Sequence, residues 1–167
     1  MYGFYVAPEG VAAPYAAHLD AGTVTVGLLM AADPVGAAIG MAVLSRWVPP
    51  ANHPRIIGPL AMLSGLPLML SALSPSAVTA IALWAITGFL SSYTLLAFAE
   101  FTLAVPDRRR GHATGLVSAG LRTAQGLGIL LAGALASWLD PAVSVALCGA
   151  AGTLCAVPLS YQPRPKR

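Results

Sequence analysis

The stretch TVTVGLLMAADPVGAAIGMAVLS, residues 23–45, contains one charged side chain, Asp33, in 23 positions. About 20 residues of helix cross the hydrocarbon core of a bilayer, so this run is long enough to span it. Inside lipid, every backbone polar group must be satisfied within its own segment, and this requirement predicts a helix. The stretch therefore places the chain among the integral membrane proteins.

Further apolar runs follow the same pattern. They cover residues 56–73, 77–105, 113–137 and 142–161. A shorter apolar segment, residues 1–17, carries Pro8 and Pro14, and we interpret it as a partial helix whose beginning is missing from this sequence. Because none of the runs alternates polar and apolar residues, strands are not expected. The sequence predicts an all-α, polytopic transmembrane helix bundle that forms a single domain over residues 1–167.

The composition agrees with a membrane protein and excludes several other classes. Hydrophobic residues make up 57% of the chain, charged residues only 9%, and the mean hydropathy is +0.75. Soluble domains contain about 25% charged residues. The net charge of +3 does not indicate nucleic acid as a partner, because the basic residues flank apolar runs rather than forming a patch.

No residues have the spacing of a catalytic or metal site. The two cysteines, Cys148 and Cys155, lie about 10 Å apart along one helix, too far for a disulfide, and are interpreted as packing residues. The sequence offers no nucleophile–base constellation, metal motif or phosphate loop. We therefore expect no cofactor, no metal and no enzymatic activity.

The basic residues are confined to alternate connectors. Eight of the nine lie in residues 46–55, in Arg108–Arg110 and in the tail, residues 162–167. Lysine and arginine are retained on the cytoplasmic side of membrane proteins. The pattern predicts a multi-pass protein of the cell membrane, with a cytoplasmic C-terminal tail and with Asp20 and Asp140 outside.

The stretch PDRRRGHATGLVSAGLRTAQGLGILLAG, residues 106–133, resembles a cytoplasmic loop and the following helix in transporters of the major facilitator superfamily. In that family the loop commonly ends in Arg-Gly, here Arg110-Gly111, and the helix carries spaced glycines. The segments PEGVAAPYAAHL and AADPVGAAIGMAVLSRW are similar to the family's seventh and eighth helices. The resemblance implies that this chain is a fragment, the C-terminal six-helix half, with helices seven to twelve.

The resemblance also implies a function. The chain would be part of a secondary active transporter, a permease or efflux system, that moves a small-molecule solute by alternating access, with proton coupling as one option. Its partners would be membrane lipid and either the missing N-terminal six-helix half or a second copy. The alternative is a small, non-transporting membrane subunit or structural protein, in which polar intramembrane residues form buried pairs.

Four ionisable residues lie inside apolar runs, where a charge costs a few kcal/mol and usually faces protein or water. They are Glu9, Asp33, Glu100 and Arg122, on the first, second, fourth and fifth segments. In the family, helices seven, eight, ten and eleven line the central cavity. The resemblance therefore implies that these four residues face the solute pathway.

Arg122 is the leading candidate, because it lies about midway along its predicted helix. Ser118 and Gln125 share its face, together with Thr114, whereas the small residues from Gly120 to Ala136 are expected on the opposite side. Arg122 would either bind an anionic solute or form a structural ion pair with a carboxylate.

Asp33 and Glu9 each have two interpretations. Asp33 precedes Pro34, which frees a backbone carbonyl. Its carboxyl group is either a candidate for proton coupling or a structural group, namely a partner of Arg122 or a polar group at a helix end. Glu9 lies between Pro8 and Gly10, where the helix is expected to break. It would either line a pathway or remain solvated near the outer surface.

Glu100 lies about five residues from the cytoplasmic end of its predicted helix and shares a face with Tyr93. A structural or gating contact is expected for it. The hydroxyl cluster at residues 91–94 would line the cavity or bond to carbonyls of its own helix, which is the commoner arrangement.

Overall fold

The computed structural model describes residues 2–49, 52–74 and 76–160, and the predicted cytoplasmic tail, residues 162–167, lies outside them. Within the described residues the secondary structure is helical, with no strand. After a broken first segment come the longer helices, which are α3 (Thr23–Trp47), α4 (His53–Leu63), α5 (Gly65–Ser71), α6 (Ala77–Ser91), α7 (Tyr93–Ala104), α8 (Asp107–Ala136) and α9 (Pro141–Ser160).

The first segment consists of three short pieces. Helix α1 (Tyr2–Val6) leads into a 3-10 turn (Ala7–Val11), which is followed by α2 (Ala12–His18). The turn contains Pro8, which has no backbone N–H to donate. The helix break expected at Pro8–Gly10 is therefore confirmed.

Two of the longer segments are interrupted at a serine. Ser64 separates α4 from α5, and Ser92 separates α6 from α7. Their hydroxyl groups donate to backbone carbonyls in the preceding turn, Ser64 Oγ to Ala61 O at 2.9 Å and Ser92 Oγ to Phe89 O at 2.6 Å. Hydroxyls that bond back in this way bend helices.

Helices α3 and α6 form the largest helix–helix contact among the described residues. They approach closely because Gly36 and Gly40 of α3 lie against α6, while Gly88 of α6 lies against the backbone of Asp33. Small residues allow such approach in lipid, where no hydrophobic force drives helices together. Gly36 and Gly40 are therefore packing residues of α3.

Side-chain hydrogen bonds tie the first segment to the rest of the bundle. Tyr5 Oη donates to Ala61 O at 2.6 Å, and Tyr15 Oη donates to the carbonyl of Ser71. At one end of the bundle His18 Nδ1 lies 3.3 Å from Asp140 Oδ2. At the other end Arg110 Nε donates to Thr102 O at 3.0 Å, which caps the last turn of α7.

The outer surface of the bundle is apolar. Five helical segments are long and apolar enough to cross a membrane, by length and composition, within the described residues. Large side chains such as Leu116, Leu130 and Leu154 are exposed, whereas Ser71, Thr87 and Ser144 are buried. Soluble proteins rarely expose a contiguous apolar surface of this extent. The prediction of an all-α, multi-pass membrane bundle is confirmed.

Candidate functional site

A cavity of about 10 Å³ lies between the 3-10 turn, α3 and α6. Its polar lining residues are Glu9, Asp33, Trp84, Thr87 and Tyr5, and the rest of the lining is apolar. A volume of this size accommodates about one water molecule. The structure thus brings together two of the four intramembrane ionisable residues, from segments that are adjacent in the chain but run in opposite directions.

Local backbone features position both carboxyl groups. Glu9 lies in the 3-10 turn, which packs on α8 through Gly10, where a Cβ atom would meet the backbone of Ile129. Asp33 lies at the close approach of α3 to α6, because its backbone contacts Gly88. The cavity therefore depends on two contacts that only glycine permits.

Some of the polar groups around the cavity are satisfied within the protein. The hydroxyl of Tyr5 bonds to Ala61 O, and Thr87 Oγ1 donates to Leu83 O at 3.1 Å. Among the described residues, neither the Glu9 nor the Asp33 side chain has a hydrogen bond or an ion pair. The indole Nε1 of Trp84 is buried and lacks a protein acceptor. Three polar groups beside one cavity thus remain available to a ligand.

Arg122 lies elsewhere, on an exposed side of α8. It follows Asp107, the first residue of this 30-residue helix, by about 22 Å along the axis, close to the helix midpoint. Its guanidinium donates to Gln125 Oε1 at 3.2 Å. Ser118, one turn earlier, is also exposed, and Gln125 is half-buried.

The structure does not pair Arg122 with Asp33. Asp33 lines the cavity between α3 and α6, whereas α8 packs mainly on α1 and the 3-10 turn. No salt bridge joins the two side chains among the described residues. The structural ion pair considered for Asp33 is therefore absent from this arrangement.

The small-residue stripe on α8 packs only in part. Gly128 and Ala132 are buried against the first segment, whereas Gly120 and Ala124 are exposed. A repeat of four residues drifts by about 40° per step around a helix with 3.6 residues per turn. The expectation that the whole stripe lies opposite Arg122 was wrong. The polar residues lie beside the packing face of α8.

Glu100 contacts a histidine that the sequence did not suggest as its partner. His53 Nδ1 lies 3.4 Å from Glu100 Oε1, and His53 Nε2 lies 3.2 Å from Val48 O. The His53 side chain is only 14% exposed, because the start of α4 packs against α7. The contact joins three segments at the end of the bundle that carries residues 46–55.

Tyr93 is buried at the start of α7, directly after the helix break at Ser92. The neighbouring hydroxyls of Ser91 and Thr94 donate to carbonyls of their own helix, Gly88 O and Ser91 O. Of the two roles considered for this cluster, bonding to its own helix is confirmed. No group of three or more potential metal ligands occurs among the residues that the structure describes.

Trp84 and Thr87 were not identified from the sequence as part of a site. One signal was present, because tryptophan in membrane proteins concentrates at the interfaces and Trp84 lies well inside a span. A tryptophan at such a depth has an N–H group that requires a partner. Its pairing with Glu9 and Asp33 depends on packing between segments.

The comparisons with known proteins give a family match. The family described as Major Facilitator Superfamily matches residues 3–167. No curated protein and no solved structure matches the chain.

Proposed function

This chain belongs to the major facilitator superfamily, and from that premise we propose that it forms one half of a secondary active transporter that moves a small solute by alternating access. It is a membrane transporter by family, and members of this family are generally not enzymes. What we propose beyond family membership is the class of solute, the coupling of transport to protons and the existence of two access states.

The observation that carries this proposal is the position of Arg122. It is an exposed cation near the middle of a membrane helix, and Gln125 is its side-chain partner. An arginine at the centre of a bilayer costs about 2.5–3.5 kcal/mol on insertion scales. Contact with lipid at this position is therefore unfavourable, and the face that carries Arg122 is expected to meet water, solute or protein.

The chemistry of this face favours an anionic solute. A guanidinium binds carboxylate and phosphate groups through two parallel hydrogen bonds. Ser118 and Gln125 lie beside it and offer a hydroxyl and an amide to the same ligand. We therefore assign the solute to the class of small organic or inorganic anions, with Arg122 as the charged contact.

A second six-helix unit would complete the path. In this family the solute path lies between two halves, and transport is one half rocking against the other. The Arg122 face of α8 is exposed in this half and would form one wall. The second unit would be an N-terminal half or another copy of the chain, with lipid around both. We further propose residence in the cell membrane with the arginines of Arg108–Arg110 in the cytoplasm.

A set of single cysteines tests the pathway and the orientation together. In a background with Cys148→Ala and Cys155→Ala, Ser118→Cys should react with a charged, membrane-impermeant thiol reagent, because a water-filled path allows the thiolate to form. Arg109→Cys should react only from the cytoplasmic side. The measurement is the extent of labelling in intact cells and in inside-out vesicles.

Leu127→Cys is the matched control. Leu127 is 55% exposed and lies on the opposite side of α8 from Ser118, where lipid is expected. It should stay unlabelled. Equal labelling of Ser118→Cys and Leu127→Cys, or labelling of Arg109→Cys from outside, would contradict the proposal. In a non-transporting subunit the Ser118 face would be buried against protein, and neither cysteine would react.

A further inference from the structure

The cavity between the 3-10 turn, α3 and α6 holds an unbalanced set of charges. Glu9 and Asp33 both line it, and no lysine, arginine or histidine does among the residues that the structure describes. The other titratable group in its wall is Tyr5, whose hydroxyl is bound to Ala61 O. Arg122, which lies near the middle of α8, has Gln125 as its side-chain partner. Neither carboxyl is therefore neutralised by a basic side chain.

Two negative charges in one small cavity repel each other, and each is costly at membrane depth. The arrangement is relieved when one of the two carboxyl groups carries a proton. A protonated carboxyl also becomes a hydrogen-bond donor, which two ionised carboxylates lack. A shared proton thus supplies both the missing charge compensation and a donor.

Trp84 distinguishes a proton from a metal ion as the occupant. It is 2% exposed, and its Nε1 has no acceptor among the described residues. An indole N–H only donates, so it suits a water or carboxylate oxygen and repels a cation. The cavity volume of about 10 Å³ matches one water molecule.

We propose that Glu9 and Asp33 form a protonation pair that shares one exchangeable proton through a single water molecule held by the indole N–H of Trp84. The proton comes from bulk water and leaves to bulk water. The pair has a net charge of −1 when loaded and −2 after release. Release occurs when relative movement of the 3-10 turn and α3 opens the cavity to water, which solvates the second charge. This pair is the coupling site of the transporter proposed above and rests on that function.

Infrared spectroscopy of the purified full chain in lipid tests the pair without any transport assay. A protonated carboxyl gives a C=O stretching band that disappears on ionisation, and the pH at which it disappears is measured. In Glu9→Gln and in Asp33→Asn the band should disappear at a pH about one unit or more lower than in the wild type, about a tenfold loss of proton affinity. The reason is that the neighbouring negative charge has been removed.

Glu100→Gln is the control, because Glu100 contacts His53 far from the cavity. It should leave the titration unchanged. If Glu9→Gln and Asp33→Asn both titrate as the wild type does, the carboxyls act independently and the pair is refuted. The fold of each variant is checked by its elution from size-exclusion chromatography. If an amide variant misfolds, Glu9→Asp and Asp33→Glu are used instead, and in both the C=O band should disappear at the same pH as in the wild type.

The water molecule is tested separately with Trp84→Phe, which keeps an aromatic ring beside Tyr15. In wild-type spectra, a water O–H band should change in the same pH step as the carboxyl band. Recording the spectra in H₂¹⁸O should shift the frequency of this band, which identifies it as water. The phenylalanine variant should lack this band. A wild-type difference spectrum without an isotope-sensitive water band would overturn the water bridge. These readouts fail or succeed independently of Arg122 and of solute flux, so failure of the pair and failure of the transport proposal are distinguishable.

Discussion

Replacing Arg122 with alanine is expected to reduce solute transport about ten- to a hundredfold while the protein still inserts. Hydrogen bonds to a charged group contribute about 1.5–3 kcal/mol, and about 1.4 kcal/mol corresponds to a factor of ten. Arg122→Lys should also lose transport, because an ammonium does not reproduce the two parallel hydrogen bonds of a guanidinium. The measurement is initial uptake of radiolabelled small carboxylates by the complete transporter in liposomes, divided by the amount of inserted protein.

Arg109→Ala is the matched control for this prediction. Arg109 lies on the same helix and is exposed, but it is at the helix end rather than at membrane depth. Its loss should leave transport per inserted molecule unchanged. If Arg122→Ala transports normally, Arg122 does not line the path. If it lowers protein abundance but not transport per molecule, the role of Arg122 is structural.

Replacing Gly36 with leucine is expected to destabilise or unfold the bundle. A Cβ atom at Gly36 would overlap the backbone carbonyl of Ala85 in α6, and this carbonyl cannot move aside without moving the helix. Overpacking costs about 1–3 kcal/mol, and each kcal/mol lowers Tm by roughly 2–4 °C in a chain of this size. We therefore expect an apparent Tm lower by roughly 2–12 °C, or no folded protein. It is measured by size-exclusion chromatography of heated, detergent-solubilised samples.

Gly27→Leu, on the same helix, separates packing from helix propensity. Nothing lies within 4 Å of a Cβ atom at Gly27, which is exposed. This variant gains the same helix propensity and the same apolar side chain, so its Tm should match or exceed that of the wild type. Equal stability of the Gly36 and Gly27 variants would mean that α3 and α6 do not approach as described.

The fold follows from the sequence because the bilayer imposes simple requirements. Long apolar runs such as residues 23–45 have to be helices in lipid. Pro8 interrupts the helix of the first segment because it has no backbone N–H to donate. The start of α8 was harder to place. The helix begins at Asp107, six residues before the apolar run at 113, because the polar residues between them are helical as well.

The site depends on packing between segments, which a single sequence does not encode locally. Depth along a helix follows from counting residues, and it identified Asp33 and Arg122 as intramembrane groups. Which of them meet is decided by how the helices are rotated and spaced. Gly88 brings α6 against Asp33, and the 3-10 turn presents Glu9 to the same cavity. Asp33 therefore shares a cavity with Glu9 and not with Arg122.

We propose that this chain is one half of a transporter and needs a second half to form the solute path. The direct measurement is uptake of radiolabelled carboxylates into liposomes that contain the purified chain alone, compared with liposomes in which it is paired with a complementary six-helix half. We expect no saturable uptake by the chain alone and saturable uptake by the paired assembly. Saturable uptake by the chain alone, with crosslinking showing that it remains a monomer, would refute the need for a second half.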